Sequence, residues 1–562
     1  MKRHALCCLM AIVALSATAQ ITEAPKDVNG VIDNTPDSIA KAMTARPVPG
    51  SSRRGQNPVL FLIGNSTMRT GTMGNGNNGQ WGWGYFAHEY FDASKITVEN
   101  HALGGMSSRT FYNKLWAPVC DAIKPGDWVI ISIGHNDNGP YDSGRARSSI
   151  PGAGYDTLNV VIKETGVHET VYTYGGYMRK YINDVRARGG NPILMSLTPR
   201  NAYDKDGRVV RKEHTRWQMQ VAAEEGVPFV DLNEISAQKL DRYGHWKTDY
   251  HFFLDKIHTS RFGAMMNARS AAEGIMASHN PALNPLKAMM RSVALPVHNV
   301  QRHKGRPVIF FTGDSTVKNE DKDKDGMWGW GSVANTIFDT NKIDIVNAAQ
   351  AGRSCRSYLK EGRWDRVYNS LQPGDFVVIA FGHNDIGEID KPKYRGCIPT
   401  ADDTCHVYKM KAAKEKPTEN VIDQKLKPQN VNVGEYEVVY SFGWYLKKFI
   451  NDVREKGATP VLVSLTPRNE WKDGKIERRN QSYGKWYRQV AEETGCEFVD
   501  IHNITADFLD KKCGSKEKAS KYYKRDHTHT SLLGAQTNAK SFAQGLRSNN
   551  SPLAGYLLKG KK

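Results

Sequence analysis

The 562-residue chain has few long apolar runs. Beyond its first residues, no stretch approaches the about 20 consecutive apolar residues that cross a bilayer. That argues against a membrane-spanning protein. Cysteine is scarce, eight in all, and no C-x-x-C pair occurs. A disulfide-built scaffold and the common zinc spacings are thereby excluded. Cys397 and Cys405 are close enough in a loop-like stretch to bridge in an oxidising compartment. Zinc-finger and RNA-recognition signatures are missing as well. The net charge of +18 therefore favours an acidic polysaccharide over nucleic acid as partner, with solubility as the plainer alternative.

One apolar run does occur, at the start. Lys2 and Arg3 precede it, and Ala17-Thr18-Ala19 follow it. Residues 1–19 read as a secretory signal, so export to the periplasm or the cell exterior is expected. The length exceeds what one core supports. The sequence accounts for that by repeating itself. "YMRKYINDVRARGGNPILMSLTPRN" (177–201) returns as "YLKKFINDVREKGATPVLVSLTPRN" (445–469), and "KPGDWVIISIGHNDNG" (124–139) as "QPGDFVVIAFGHNDIG" (372–387). "WGWG" stands at 81–84 and 328–331. The separation between copies is steady through the GHND block (384 − 136 = 248) and then grows (445 − 177 = 268), which puts an insertion within about 388–435, read as a charged surface loop. Two domains are expected, over 58–278 and 307–547. A Pro-containing linker is expected at 279–306 and a basic tail at 548–562. Residues 20–57 carry no assignment.

In each copy apolar runs alternate with helical patterns. "VLFLI", "DWVIISI", "PILMSL" and "VPFVDL" read as buried parallel strands. Tyr177, Met178, Tyr181, Ile182 and Val185 mark one helix face, repeated by Tyr445, Leu446, Phe449, Ile450 and Val453. The pattern predicts a three-layer α/β domain around a parallel sheet. Sites in such folds gather at the carboxyl ends of the strands. "GNST"/"GDST", "GHND" and "TPRN" each follow a predicted strand directly, so they should converge.

The second copy offers a complete acyl-transfer set. Ser315 needs a base, and His529 with Asp526 three residues earlier can supply one. The backbone N–H groups of Ser315 and Gly352 and the amide of Asn384 are candidate donors to an oxyanion. The first copy holds the same parts in the same order: Ser66, Gly105, Asn136, Asp255 and His258.

These blocks resemble the GDSL, or SGNH, hydrolase superfamily, and their finer texture is similar to the rhamnogalacturonan acetylesterases (carbohydrate esterase family twelve). The resemblance implies two tandem three-layer α/β/α SGNH-hydrolase domains with parallel central sheets. It also implies a metal-free, cofactor-free serine esterase removing O-acetyl groups from pectic or related polysaccharide. Ser66 and Ser315 would be the nucleophiles, Asp255–His258 and Asp526–His529 the acid–base pairs, and Gly105, Asn136, Gly352 and Asn384 the oxyanion donors. Two rival readings stay open. One is an SGNH esterase of another acyl substrate (acetyl-xylan, a lipid or a thioester). The other is one catalytic domain beside a copy that only binds carbohydrate. The first copy departs from the pattern at Asn65, where Asp314 stands in the second, and at Met106, where Arg353 stands.

Other residues carry two readings each. Trp83 and Trp330, with Trp81 and Trp328, are candidate sugar platforms or core packing. Arg200 and Arg468 are candidate uronate contacts or structural ion pairs. Arg353 would add a cation at the rim. His135 and His383 read as structural. "DKDKDG" (321–326) imitates the start of a calcium loop, yet its twelfth position is Ser332 rather than the required Glu. The oligomeric state is not readable.

Overall fold

The computed structural model describes residues 46–69, 80–253, 255–292, 295–318, 326–390, 393–409 and 436–559. The signal segment, the calcium-like stretch 321–325 and the insertion over 410–435 lie outside them. Among the described residues no helix is long and apolar enough to cross a membrane.

The first domain contains strands β1 (Val59–Gly64), β2 (Thr97–Asn100), β3 (Trp128–Ser132), β4 (Thr157–Val161), β5 (His168–Tyr172), β6 (Asn191–Met195) and β7 (Phe229–Val230). The second contains β8 (Val308–Gly313), β9 (Asp344–Asn347), β10 (Phe376–Ala380), β11 (Cys405–Lys409), β12 (Tyr436–Tyr440), β13 (Thr459–Val463), β14 (Trp471–Lys472), β15 (Lys475–Ile476) and β16 (Glu497–Val499). Two five-stranded sheets result, β2-β1-β3-β6-β7 and β9-β8-β10-β13-β16, parallel throughout. Every residue of β1, β3, β8 and β10 is buried. Helices therefore cover both faces, as uninterrupted apolar strands require. The helix Tyr174–Ala187 buries Tyr177, Met178, Tyr181, Ile182 and Val185 on its inner face. Thr173 caps it by accepting a bond from the Gly176 N–H.

Chain order reverses direction at β1, which has β2 on one side and β3 on the other. That reversal opens a crevice at the strand ends. Ser66 follows β1 there, and Ser315 follows β8 in the corresponding crevice.

Both domains extend past their expected bounds. Arg53 forms a paired contact with Asp127 (2.8 and 2.5 Å), and the Gly50 and Ser52 N–H groups bond Glu99. Arg302 repeats this on Asp375 (3.0 and 2.6 Å), within what composition marks as linker 279–306. At the other end, Leu283 and Leu286 are fully buried in the first domain's core. The Asp92 N–H bonds Met289 O, as the Asp339 N–H bonds Tyr556 O. Of the stretch expected as a tail, 548–562, the described residues to 559 close the second domain through buried Leu553 and Leu557. Proline suggested a linker at 279–306; Pro281 starts a short 3₁₀ turn there instead.

The insertion is not wholly loop. β11 and β12 form an antiparallel hairpin, as β4 and β5 do in the first domain. The domains touch where Tyr250 meets Tyr440 and Trp444, with ring centroids 5.8 and 5.0 Å away.

Candidate functional sites

Each serine stands on a tight turn. Asn65 Oδ1 accepts bonds from the Thr67 N–H (3.1 Å) and hydroxyl (3.0 Å). Asp314 Oδ1 does the same for Thr316, at 2.9 and 2.8 Å. An amide oxygen and a carboxylate oxygen accept alike, so the turn closes without the charge. Asp314 is fully buried, and desolvation raises its pKa.

The turns present the serines to the histidines. Ser66 Oγ lies 2.8 Å from His258 Nε2, and His258 Nδ1 lies 2.6 Å from Asp255 Oδ2. In the second domain the distances are 2.9 Å for Ser315 to His529 and 2.7 Å for His529 to Asp526. The D-x-x-H spacing works because the carboxylate also caps its own loop. Asp255 Oδ1 accepts from the Ile257 and His258 N–H groups, and Asp526 Oδ1 from those of Thr528 and His529. Burial alone would raise these acids. Hydrogen bonds from the histidine and its loop outweigh it, holding Asp255 below the usual carboxylate range and Asp526 down at about 2.

The WGWG segments tie the two halves together. Trp83 donates its backbone N–H to Thr67 O, one residue past the serine, and Trp81 donates to Thr259 O, one past the histidine. Trp330 and Trp328 repeat both bonds with Thr316 and Thr530. The glycines are what let this backbone lie so close. A Cβ on Gly82 would overlap the Met68 carbonyl, and one on Gly329 the Val317 carbonyl. The sugar-platform expectation for Trp83 and Trp330 is therefore corrected. Both side chains are only 1% exposed and pack in the core.

Gly105 and Gly352 adopt positive φ, 77° and 73°. Helices follow them, capped by Ser107 and Ser354 in reciprocal capping boxes. Asn136 and Asn384 sit on the neighbouring strand-end loops. Two residues that motif reading passed over hold them: Arg147 donates to Asn136 Oδ1 and Arg395 to Asn384 Oδ1, each at 3.1 Å. The repeat "RSSIP" (147–151) against "RGCIP" (395–399) carried that signal. A Cβ at Gly352 would come within 2.9 Å of Arg395, so glycine also makes room for this arginine.

Behind the asparagines lie two acids, Asp137 half-buried and Asp385 buried. Asp137 accepts from Ser108 and Ser149 hydroxyls. Asp385 accepts instead from the Cys355 N–H (2.9 Å) and the Cys397 thiol (3.1 Å). The bridge that Cys397 and Cys405 could have made is not formed, and the Cys397 thiol is given to Asp385 instead. Burial pushes Asp385 up to about 7. His135 and His383, bonded to Thr198 and Thr466, are held neutral by burial.

The remaining arginines differ between domains. Arg353 is not an open cation at the rim, because Glu361 takes its Nε at 3.0 Å. Met106 packs against the core at that position. Arg468 Nη1 lies 3.9 Å from Glu470. Arg200 has its Nε buried without a partner among the described residues.

Parallel five-stranded sheets, a serine at the reversal point, and Gly, Asn and Asp-x-x-His blocks at successive strand ends define an acylhydrolase class. The profile of the GDSL-like lipase/acylhydrolase family matches residues 62–264 and 311–537, and the chain belongs to that family of carboxylic ester hydrolases, once per domain. It is 29% identical over 258 residues to a rhamnogalacturonan acetylesterase of Emericella nidulans, covering 46% of this chain and 91% of the relative. It is 25% identical over 256 residues to the probable rhamnogalacturonan acetylesterase YesY of Bacillus subtilis, covering 45% and 97%. Among solved structures, the acetylxylan esterase Axe2 of Geobacillus stearothermophilus aligns at 21% identity, over 38% of this chain and 93% of that one, with a TM-score of 0.27.

Proposed function

We propose that the chain is an exported carbohydrate esterase that removes O-acetyl groups from pectic rhamnogalacturonan, using both sites. The observation that carries the reading is the Ser–His–Asp hydrogen-bond chain, present in both copies within 0.1 Å of the same geometry. The names of the relatives support the choice of substrate.

In each site, Ser66 or Ser315 Oγ attacks the acetyl carbonyl while His258 or His529 accepts its proton at Nε2. Asp255 or Asp526 holds the other ring nitrogen and stabilises the imidazolium. The negative oxygen that develops is met by the serine N–H, the Gly105 or Gly352 N–H and the Asn136 or Asn384 amide. The histidine returns the proton to the sugar oxygen, which leaves as the hydroxyl. Water then repeats the sequence on the acetyl-serine, releasing acetate.

The test is acetate release from acetylated rhamnogalacturonan oligosaccharides by Ser66→Ala, Ser315→Ala and the double variant. Each single variant retains part of the activity and the double variant none. Full activity in the double variant refutes the reading. A dead Ser315→Ala protein would retire the first site to a binding role.

A further inference from the structure

The domains diverge sharply in charge where the T-P-R-N loop meets the Asp-x-x-His turn. In the second domain three basic residues surround Glu470. Arg479 Nη2 bonds it at 2.7 Å, His527 Nε2 lies 3.5 Å away, and Arg468 Nη1 3.9 Å away. The first domain has Ala202 at that position.

Backbone contacts establish the correspondence. The Asn201 N–H bonds Lys256 O at 2.8 Å, and the Asn469 N–H bonds His527 O at 2.7 Å. Arg211 pairs with Asp241 as Arg478 pairs with Asp510, and the Val209 and Ile476 N–H groups bond the same two acids. Lys212 therefore answers Arg479, and Lys256 answers His527. Arg200, Lys212 and Lys256 thus keep their basic character and lose the acid that joins their counterparts. None of the three makes a side-chain hydrogen bond or ion pair among the described residues. Burial, with Arg200 nearby, brings Lys212 down to about 8. Arg200 in turn senses Asp255, so the group borders the catalytic turn. Arg200 and Lys212 are neighbours, the backbone of Lys256 joins the same loop, and the one carboxylate Arg200 senses, Asp255, is already taken by His258, so these cations favour an anion supplied from outside.

We propose that Arg200, Lys212 and Lys256 form an anion subsite of the first site, taking the carboxylate of an acidic sugar unit beside the acetylated one, while Glu470 fills the equivalent place in the second site and leaves it to acetylated stretches without that charge. A guanidinium and two ammonium groups suit a carboxylate. The inference rests on the esterase reading and divides the substrate between its two sites.

The test reads each site alone in the full chain, the first in Ser315→Ala and the second in Ser66→Ala. The probes are acetylated rhamnogalacturonan oligosaccharides, acetylated xylo-oligosaccharides and p-nitrophenyl acetate. The first site should favour the acidic probe over the neutral sugar relative to the second site, by about tenfold in kcat/KM, and high salt should shrink the preference. Ala202→Glu in the first-site background should remove the preference and leave p-nitrophenyl acetate turnover unchanged. Ala202→Gln adds the same bulk without charge and should keep it. If Ala202→Glu does not fold, Glu470→Ala in the second-site background should create the preference. Equal effects of Glu and Gln, or an acidic preference that survives Ala202→Glu, overturn the inference while the esterase reading stands. No p-nitrophenyl acetate turnover in either background overturns both.

Discussion

Arg147 Nη1 donates a 3.1 Å hydrogen bond to Asn136 Oδ1, fixing the oxygen edge of an amide whose other edge carries the NH₂ donor. Arg395 treats Asn384 identically. Asn136 Nδ2 also donates to Met106 O at 3.0 Å, so the amide is held at both edges and cannot flip, and its second N–H keeps a fixed direction for the proposed oxyanion. Arg147→Met should lower the first site's kcat by about 10- to 100-fold, with a smaller change in KM. Steady-state kinetics in the Ser315→Ala background measure the split. An unchanged kcat would remove the arginine from this positioning role.

The residue before each serine is predicted to be interchangeable in one direction. Asp314→Asn should keep the second site's activity within about threefold, since Asn65 already closes the same turn with an amide. Asn65→Asp places a carboxylate in a fully buried position and should destabilise the first domain by about 1–3 kcal/mol at neutral pH. Chemical denaturation of the two variants compares these costs.

Stability should also depend on pH through the buried acids. Asp385 titrates at about 7 in the folded chain and Asp314 above its ordinary value, because burial disfavours their charged forms. The folded protein therefore retains protons that the unfolded chain releases above about pH 4. The stability tied to those protons is complete below about pH 4 and falls away as pH rises toward 7. Asp385→Asn removes the share of this dependence that belongs to Asp385 and leaves that of Asp314. The melting temperature of the variant relative to the parent should climb between pH 4 and 7. Asp526 and Asp255, held low by their histidines, act in the opposite sense below about pH 4 and are common to both proteins. A difference that stays flat with pH would refute the assignment.

The WGWG brace predicts a coupled loss. Gly82→Ala forces a methyl into the Met68 carbonyl, so the segment must withdraw from the serine turn. The cost should be about 1–3 kcal/mol of stability together with a drop in first-site kcat. Gly84→Ala meets the Asn100 amide at 2.6 Å and Met68 Cγ at 2.7 Å, and should act in the same direction. Thermal melts and single-site kinetics check both.

Much of the site is legible along the chain. Parallel strands put all their carboxyl ends on one edge, so polar blocks that each follow an apolar run must meet. Ser66 and His258 illustrate this: they are far apart in sequence, yet each belongs to a short motif whose local turn already shapes it. Asp255 is legible for the same reason, since its spacing from His258 lets one carboxylate cap the loop and hold the ring. Domain ends were less legible. Pro281 suggests a break, while the burial of Leu283 that makes it a closing turn depends on a surface built elsewhere.

The sequence by itself determined the doubled α/β architecture and the family, because periodicity and motif order are local properties that tertiary contacts do not alter. Tertiary structure alone decided which charges are neutralised and which aromatic rings are inside. Glu470 meets Arg479 through a fold-back of the chain, and the single letter Ala202 acquires meaning only once Arg200, Lys212 and Lys256 are seen to correspond to the residues around that acid. Trp83 is likewise ambiguous as a letter, and becomes a brace between the Ser66 and His258 turns only when the sheet brings Thr67 and Thr259 to either side of its segment.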